Sequence, residues 1–170
     1  MIRFIESDMA FELQEDRACH LEKSPRYQAI NSHAVSSVEC VTLYERRGEE
    51  HIFFIEAKKG APNPSGTESE MALDEYMASL RAKYEHSIQM CYAALHGIDR
   101  ELLEMGNKLI EALNHPRKMI FLLVVKRLED KWCQELQAAL QKELQHLRCI
   151  WKADVLVINE ALAKRYHLIV

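Results

Sequence analysis

Residues 118–125, Lys-Met-Ile-Phe-Leu-Leu-Val-Val, form an apolar run broken by no polar residue after the first lysine. Crossing a bilayer takes about 20 apolar residues, so this run is far too short to do so. It also has no polar face to turn toward water. Its stable place is the middle of a sheet covered on both sides, where strands read as continuous Ile/Val/Leu/Phe segments rather than alternating ones. A chain built around such a strand needs further strands to pair with it and amphipathic elements to cover it.

The rest of the sequence supplies both. Residues 38–44 and 51–58 are rich in β-branched and aromatic residues and are joined by the polar stretch 45–50, which predicts an antiparallel hairpin. Leu73, Tyr76, Met77, Leu80, Tyr84, Ile88, Cys91 and Leu95 recur at three- and four-residue steps and predict a long helix ending near Gly97. A second helix is expected over 100–113, before Pro116. A third is expected over 129–147, with Trp132, Leu136, Leu140, Leu144 and Leu147 on one face. Residues 153–158 read as another strand, followed by an apolar piece at 166–170. Strand, helix, strand order after a hairpin requires crossovers, hence an α/β fold with a mixed central sheet and flanking helices. Residues 60–66 read as the strand-to-helix loop, 9–21 as a helix and 22–25 as a break. No linker divides residues 1–170, so a single domain is expected.

The chain has 170 residues, 48% of them hydrophobic, with five Gly and four Pro, which is globular composition. With no apolar stretch long enough for a span, no membrane association is expected. Cys19, Cys40, Cys91, Cys133 and Cys149 are odd in number and contain no CxxC pair, so the reading is five free thiols and a cytoplasmic location. A formal charge of −4 leaves no global basic footprint, so any nucleic acid must be held by a local patch. The absence of GxxxxGK[ST], GxGxxG, GxSxG and HExxH patterns removes support for nucleotide-dependent, serine-hydrolase and zincin chemistry.

The chemistry concentrates in the hairpin. Side chains alternate along a strand, so Ile52, Phe54, Glu56 and Lys58 share one face while Phe53, Ile55 and Ala57 take the other. Both faces are apolar, which buries Glu56 where an ionised carboxylate needs a partner. With the turn centred on Arg47-Gly48, cross-strand partners sum to 95 and Glu39 falls opposite Glu56. Two opposed carboxylates destabilise a sheet unless one is protonated or a cation lies between them. A hard divalent cation, Mg²⁺ or Mn²⁺, suits such oxygen ligands, and Lys58 completes a set fit for metal-assisted phosphodiester hydrolysis. On this reading Glu56→Gln leaves the metal-free protein as stable as wild type or more so. The competing reading is a structural ion-pair network.

Residues 38–58, with Glu39 in one strand and Glu56-Ala-Lys58 closing the next, resemble the hairpin core of the PD-(D/E)xK, or restriction-endonuclease-like, nuclease superfamily. The family order of helix, three strands, helix, strand, helix and strand is similar to what the downstream sequence predicts. The resemblance implies a catalytic set of Glu39, Glu56 and Lys58, with Glu39 and Glu56 as metal ligands. Many members carry another acid on the preceding helix, and Glu22, seventeen residues before Glu39, is favoured over Glu12 or Glu15. Val38 stands where the namesake proline would be, and Glu39 replaces the commoner Asp.

Gln89 with Tyr92 is similar to the glutamine–tyrosine helix motif of exonuclease-like members, with the tyrosine one residue early. That resemblance makes Gln89 an expected nucleic-acid contact. Lys59, with Arg81 and Lys83, offers a local phosphate-contacting rim near the cluster, which makes Lys59 a second expected contact. By default, however, all three read as solvated surface, and His86, which could reach a phosphate, as structural or exposed. The functional expectation is a Mg²⁺- or Mn²⁺-dependent nuclease, or the nuclease subunit of a nucleic-acid-processing or defence system. DNA comes ahead of RNA as the partner, and a homodimer or a partner subunit stays open. The alternative is an inactive interaction or scaffold protein on the same fold, since fold does not imply function.

Overall fold

The computed structural model describes residues 1–64 and 70–170, so Ser65 and Gly66 of the expected 60–66 loop lie outside the described residues. Its centre is a five-stranded mixed sheet in the order β3 (Ala18–Cys19), β4 (Cys40–Arg46), β5 (Glu49–Lys58), β6 (Lys118–Val125) and β7 (Asp154–Asn159). β3, β4 and β5 pair antiparallel, while β5, β6 and β7 run parallel. The apolar run 118–125 is β6, with β5 on one side and β7 on the other, and residues 119–125 are all buried. All four strands expected from the sequence share this sheet. The β4–β5 turn places Arg47 and Gly48 at φ 53° and 79°, as a two-residue hairpin turn with matching twist requires. The ladder then runs from Arg46↔Glu49 to Cys40↔Ile55, the register read from the sequence.

One face of the sheet carries Val41, Leu43, Ile52, Phe54, Phe121, Leu123 and Val157. It packs on the helices α2 (Glu70–Leu95), α4 (Asn107–Leu113), α5 (Asp130–Glu143) and α6 (Gln145–Trp151). The expected helix over 129–147 is thus two, parted at Leu144, which is itself fully buried. The expected helix over 100–113 is also two, because Glu104 takes φ 54° after the single turn α3 (Arg100–Leu103). No helix among the described residues is long and apolar enough to cross a membrane. The five cysteines are free thiols, and only Cys149 is exposed.

The opposite face carries Phe53, Ile55, Ala57, Ile120, Leu122 and Val124, and its cover is largely not helical. An N-terminal hairpin, β1 (Ile2–Glu6) and β2 (Met9–Leu13), lays Met9, Phe11 and Leu13 on it, together with α7 (Glu160–Arg165) and the C-terminal Leu168 and Ile169. Residues 9–21 are therefore not a helix. Ser7 and Asp8, at φ 53° and 59°, make a two-residue turn, and the apolar period around it is two rather than 3.6. The expected break at 22–25 is real: Ser24 caps α1 (Pro25–Ile30) by accepting from the Tyr27 N–H, with Pro25 in the first turn.

Gly106 fastens the helical layer to the sheet edge. Its N–H donates to the Ala18 carbonyl at 3.1 Å, and a Cβ there would fall on the backbone of Glu15 and Asp16. Gly106→Ala forces that backbone apart. It is expected to lower unfolding stability by about 1–3 kcal/mol, the usual scale of an overpacked site. Urea unfolding measures this, and an unchanged midpoint would show that the contact yields freely.

Candidate functional site

The site is built at the C-terminal end of β5. Glu56 is on the helix-covered face of that strand at 0% exposure, surrounded by apolar neighbours. Lys58, two residues on, returns to the same face, and its Nζ lies 2.7 Å from Glu56 Oε1. From above, Lys83 of α2 brings its Nζ to 2.8 Å from the same oxygen and 4.0 Å from Glu39 Oε1. Glu56 Oε2 and the buried Tyr76 hydroxyl have no hydrogen-bond partner among the described residues.

Glu39 immediately precedes β4 and is 2% exposed. Its position is set from two sides. The Val38 N–H donates to Ser87 Oγ at 2.9 Å, and the Ser36 N–H donates to His86 Nδ1 at 3.1 Å, so α2 grips residues 36–38. From the other side the Glu22 N–H donates to the Glu39 carbonyl at 3.3 Å, which holds Glu22 beside it. Glu6, the last residue of β1, completes the cluster. The Ser7 N–H donates to Glu6 Oε1 at 3.0 Å, and the Ser7 hydroxyl donates to the Ala57 carbonyl at 3.1 Å, tying the hairpin tip to β5 between Glu56 and Lys58. Carboxylate oxygens of Glu6, Glu22 and Glu39 lie within 4.8 Å of one another.

Electrostatics follow from this burial. Desolvation pushes the Glu39 carboxyl up to about 9, helped by its hydrogen bond with Glu22 and the charges of Glu56 and Glu22, against the opposing Lys83. Burial also raises Glu56, while Lys83 and Lys58 pull it back. Burial alone would lower the Lys83 ammonium, but Glu56, Glu39 and Glu22 raise it above its ordinary value. Four carboxylates thus share one network with two ammonium groups, and the excess negative charge calls for a proton or a cation.

The structure brings together Glu39, Glu56, Lys58 and Glu22 from the sequence-expected set, but in two groups. Glu56 is matched by lysines, and the three carboxylates close enough to share an ion are Glu6, Glu22 and Glu39. Lys83 is not solvated surface: its side chain is 15% exposed, at the heart of the network. Its sequence signal is its place three residues after Leu80 and four before Ser87, on the buried side of α2. Glu6 was hidden because the alternation around Ser7-Asp8 was not read as a hairpin. Arg81 pairs with Glu143 at 2.8 Å on the surface. Lys59 is exposed and lies 3.3 Å from Asp8. Gln89 is exposed on another face of α2, six residues past Lys83, and Tyr92 stacks on Trp151. Compared with known proteins, the chain matches no family model, no curated protein and no solved structure.

Two stability predictions follow from this geometry. Because Glu56 is the nearest counterion of the largely buried Lys83, Glu56→Gln is expected to strand that ammonium rather than to relieve repulsion. It is expected to lower metal-free stability by about 3–5 kcal/mol, with part of the loss recovered when Lys83→Met is added. Strictly additive losses in that double-mutant cycle would rule out the pairing.

The second concerns pH. The folded chain holds the Glu39 proton more tightly than the unfolded one, whose glutamate titrates near 4.5. This group's stability is complete below that value and declines as pH rises through about 9. In chelator, stability should fall between pH 6 and 9 by up to about 1.4 kcal/mol per unit relative to Glu39→Gln. Parallel pH profiles for the two proteins would contradict the buried-proton assignment.

Proposed function

We propose that the protein is a divalent-metal-dependent nuclease of the restriction-endonuclease-like class, hydrolysing phosphodiester bonds with DNA as its first substrate. The observation that carries this reading is the convergence of Glu6, Glu22 and Glu39 beside the Glu56–Lys58–Lys83 network. An all-carboxylate donor set suits a hard cation such as Mg²⁺ or Mn²⁺, and Glu39 Oε2, buried and without a hydrogen-bond partner among the described residues, fits a ligand's role. From α1 onward the chain runs helix, two strands, three helices, strand, two helices and strand, which keeps the alternation of the family order but has one strand fewer in the meander. The third strand of the meander is β3, upstream of α1 rather than after it.

Glu6, Glu22 and Glu39 would hold the cation, which when bound polarises a phosphoryl oxygen and lowers the pKa of a water. Glu6 and Glu22 are part-exposed and face incoming substrate, while Glu39 anchors the set from inside. Lys58, with its side chain 31% exposed, is the ammonium that reaches toward solvent, and Glu56 orients it. There it would offset the charge that builds on a phosphate under attack. Lys83, 2.8 Å from Glu56 Oε1 and 4.0 Å from Glu39 Oε1, bridges the two carboxylates.

The scaffold reading has its own support, since two lysines match Glu56 without any ion. Cleavage of single- and double-stranded DNA and RNA with Mg²⁺ or Mn²⁺ separates the two. Activity lost at least 100-fold in Glu39→Gln and in Lys58→Met is the expected result. Millimolar metal should also raise the wild-type melting temperature by several degrees, about 2.7 kcal/mol at a hundredfold excess over Kd, but not that of Glu6→Gln/Glu22→Gln. No cleavage of any substrate, with no thermal response to either metal, would leave the scaffold reading standing.

A further inference from the structure

The opposite end of the sheet carries a groove of different chemistry. It measures about 620 Å³ and lies at the N-terminal end of β6, between the C-terminal part of α2 and the end of α6. The groove and the carboxylate cluster lie toward opposite ends of β6, whose eight residues span roughly 25 Å at about 3.3 Å per residue. Its floor includes Tyr92 and Trp151, whose rings stack at 4.9 Å between centroids and 25° between planes. Both rings are half-buried. His115, Arg117, Lys118 and Lys152, all exposed, line its wall together with apolar side chains such as Leu113, Met119 and Ile150.

None of the groove's lining residues is acidic, although the chain as a whole holds 26 acidic residues against 22 basic ones. Two of the cations have acidic neighbours just outside: Lys118 lies 2.6 Å from Asp154, and Arg117 lies 3.7 Å from Glu50. Lys152 and His115 form no ion pair among the described residues. A stacked aromatic pair beside the unmatched Lys152, in an open groove with no acidic lining, offers a single strand of nucleic acid both stacking and charge. Its unpaired bases offer π faces for stacking, and its phosphates seek the cations. A duplex hides its base faces and gains only the charge term.

We propose that this groove is a binding surface for single-stranded nucleic acid, separate from the carboxylate cluster. The inference does not depend on hydrolysis. Its test is the fluorescence anisotropy of a labelled single-stranded oligothymidylate with the full chain in EDTA, where no metal-dependent cleavage can occur.

Binding should tighten at low salt, quench tryptophan emission and exceed that of a duplex of equal length. Lys152→Glu, at an exposed position that leaves the fold intact, should weaken it about tenfold and lower the slope of log affinity against log salt by about 0.7–1. Trp151→Ala should remove the preference over duplex. If Trp151→Ala fails to fold, Tyr92→Leu serves as the second variant. Lys164→Glu, an exposed change on α7 outside the groove, should bind as wild type does. Three results would overturn the proposal: no binding at low salt, equal affinity for duplex, or binding that is insensitive to Lys152→Glu.

Discussion

Glu56 is a carboxylate removed from water on a strand whose other covered residues are apolar, and two ammonium groups hold it there. A charge in that position is tolerated only with partners in reach, and supplying them shapes the surrounding structure. β5 must keep its strand geometry to Lys58, so that the lysine returns to the face of Glu56. α2 must cross the sheet so that Lys83, and not an apolar neighbour, points down at it. The same helix then grips residues 36–38 through His86 and Ser87, which puts Glu39 within reach of Lys83. Packing and electrostatics at this end of the molecule are one problem, and the polar network has few members free to move independently.

The network is also unbalanced. Two ammonium groups face Glu56, Glu39, Glu22 and Glu6, and in the metal-free chain a proton on Glu39 makes up part of the deficit. A divalent cation among Glu6, Glu22 and Glu39 answers the same need by a different route. Glu6 reaches the site only because the β1–β2 hairpin is fastened to β5 through Ser7 and Ala57. The hairpin thus has two tasks: it covers the second face of the sheet with Met9, Phe11 and Leu13, and it delivers a carboxylate to the edge of the first. At the far end of β6 an aromatic pair meets Arg117, Lys118 and Lys152, with Glu50 and Asp154 matching the first two.

Where local rules suffice, the sequence was legible. The run 118–125 is β6 to the residue, because seven consecutive apolar side chains leave no alternative to a strand covered on both faces. The β4–β5 register was readable because the two-residue turn at Arg47-Gly48 sets which residues oppose each other, and side-chain alternation then sets the face. Local rules also misled. The β1–β2 turn uses Ser7 and Asp8, a pair with weaker turn signature than one containing glycine, and the apolar residues after it were assigned the wrong period. The 100–113 segment looked continuous because its interruption goes with Gly106 packing against the Glu15–Asp16 backbone, a contact about ninety residues away in sequence.

By itself, then, the sequence determined the sheet's central strands, the face to which Glu56 and Lys58 belong, and the β4–β5 register, whose ladder ends at Cys40↔Ile55, one residue short of the expected Glu39–Glu56 pair. Each of these follows from the alternation of side chains and the geometry of one turn. The tertiary structure alone decided that Lys83 joins Lys58 beside Glu56, and that Glu6 joins Glu22 and Glu39. It also decided that Tyr92 meets Trp151 beside a row of cations. Those encounters join elements tens of residues apart. Which side chains meet there depends on how α2, the N-terminal hairpin and α6 dock against the sheet, and that is set by the packing of whole faces rather than by the pattern within any one segment.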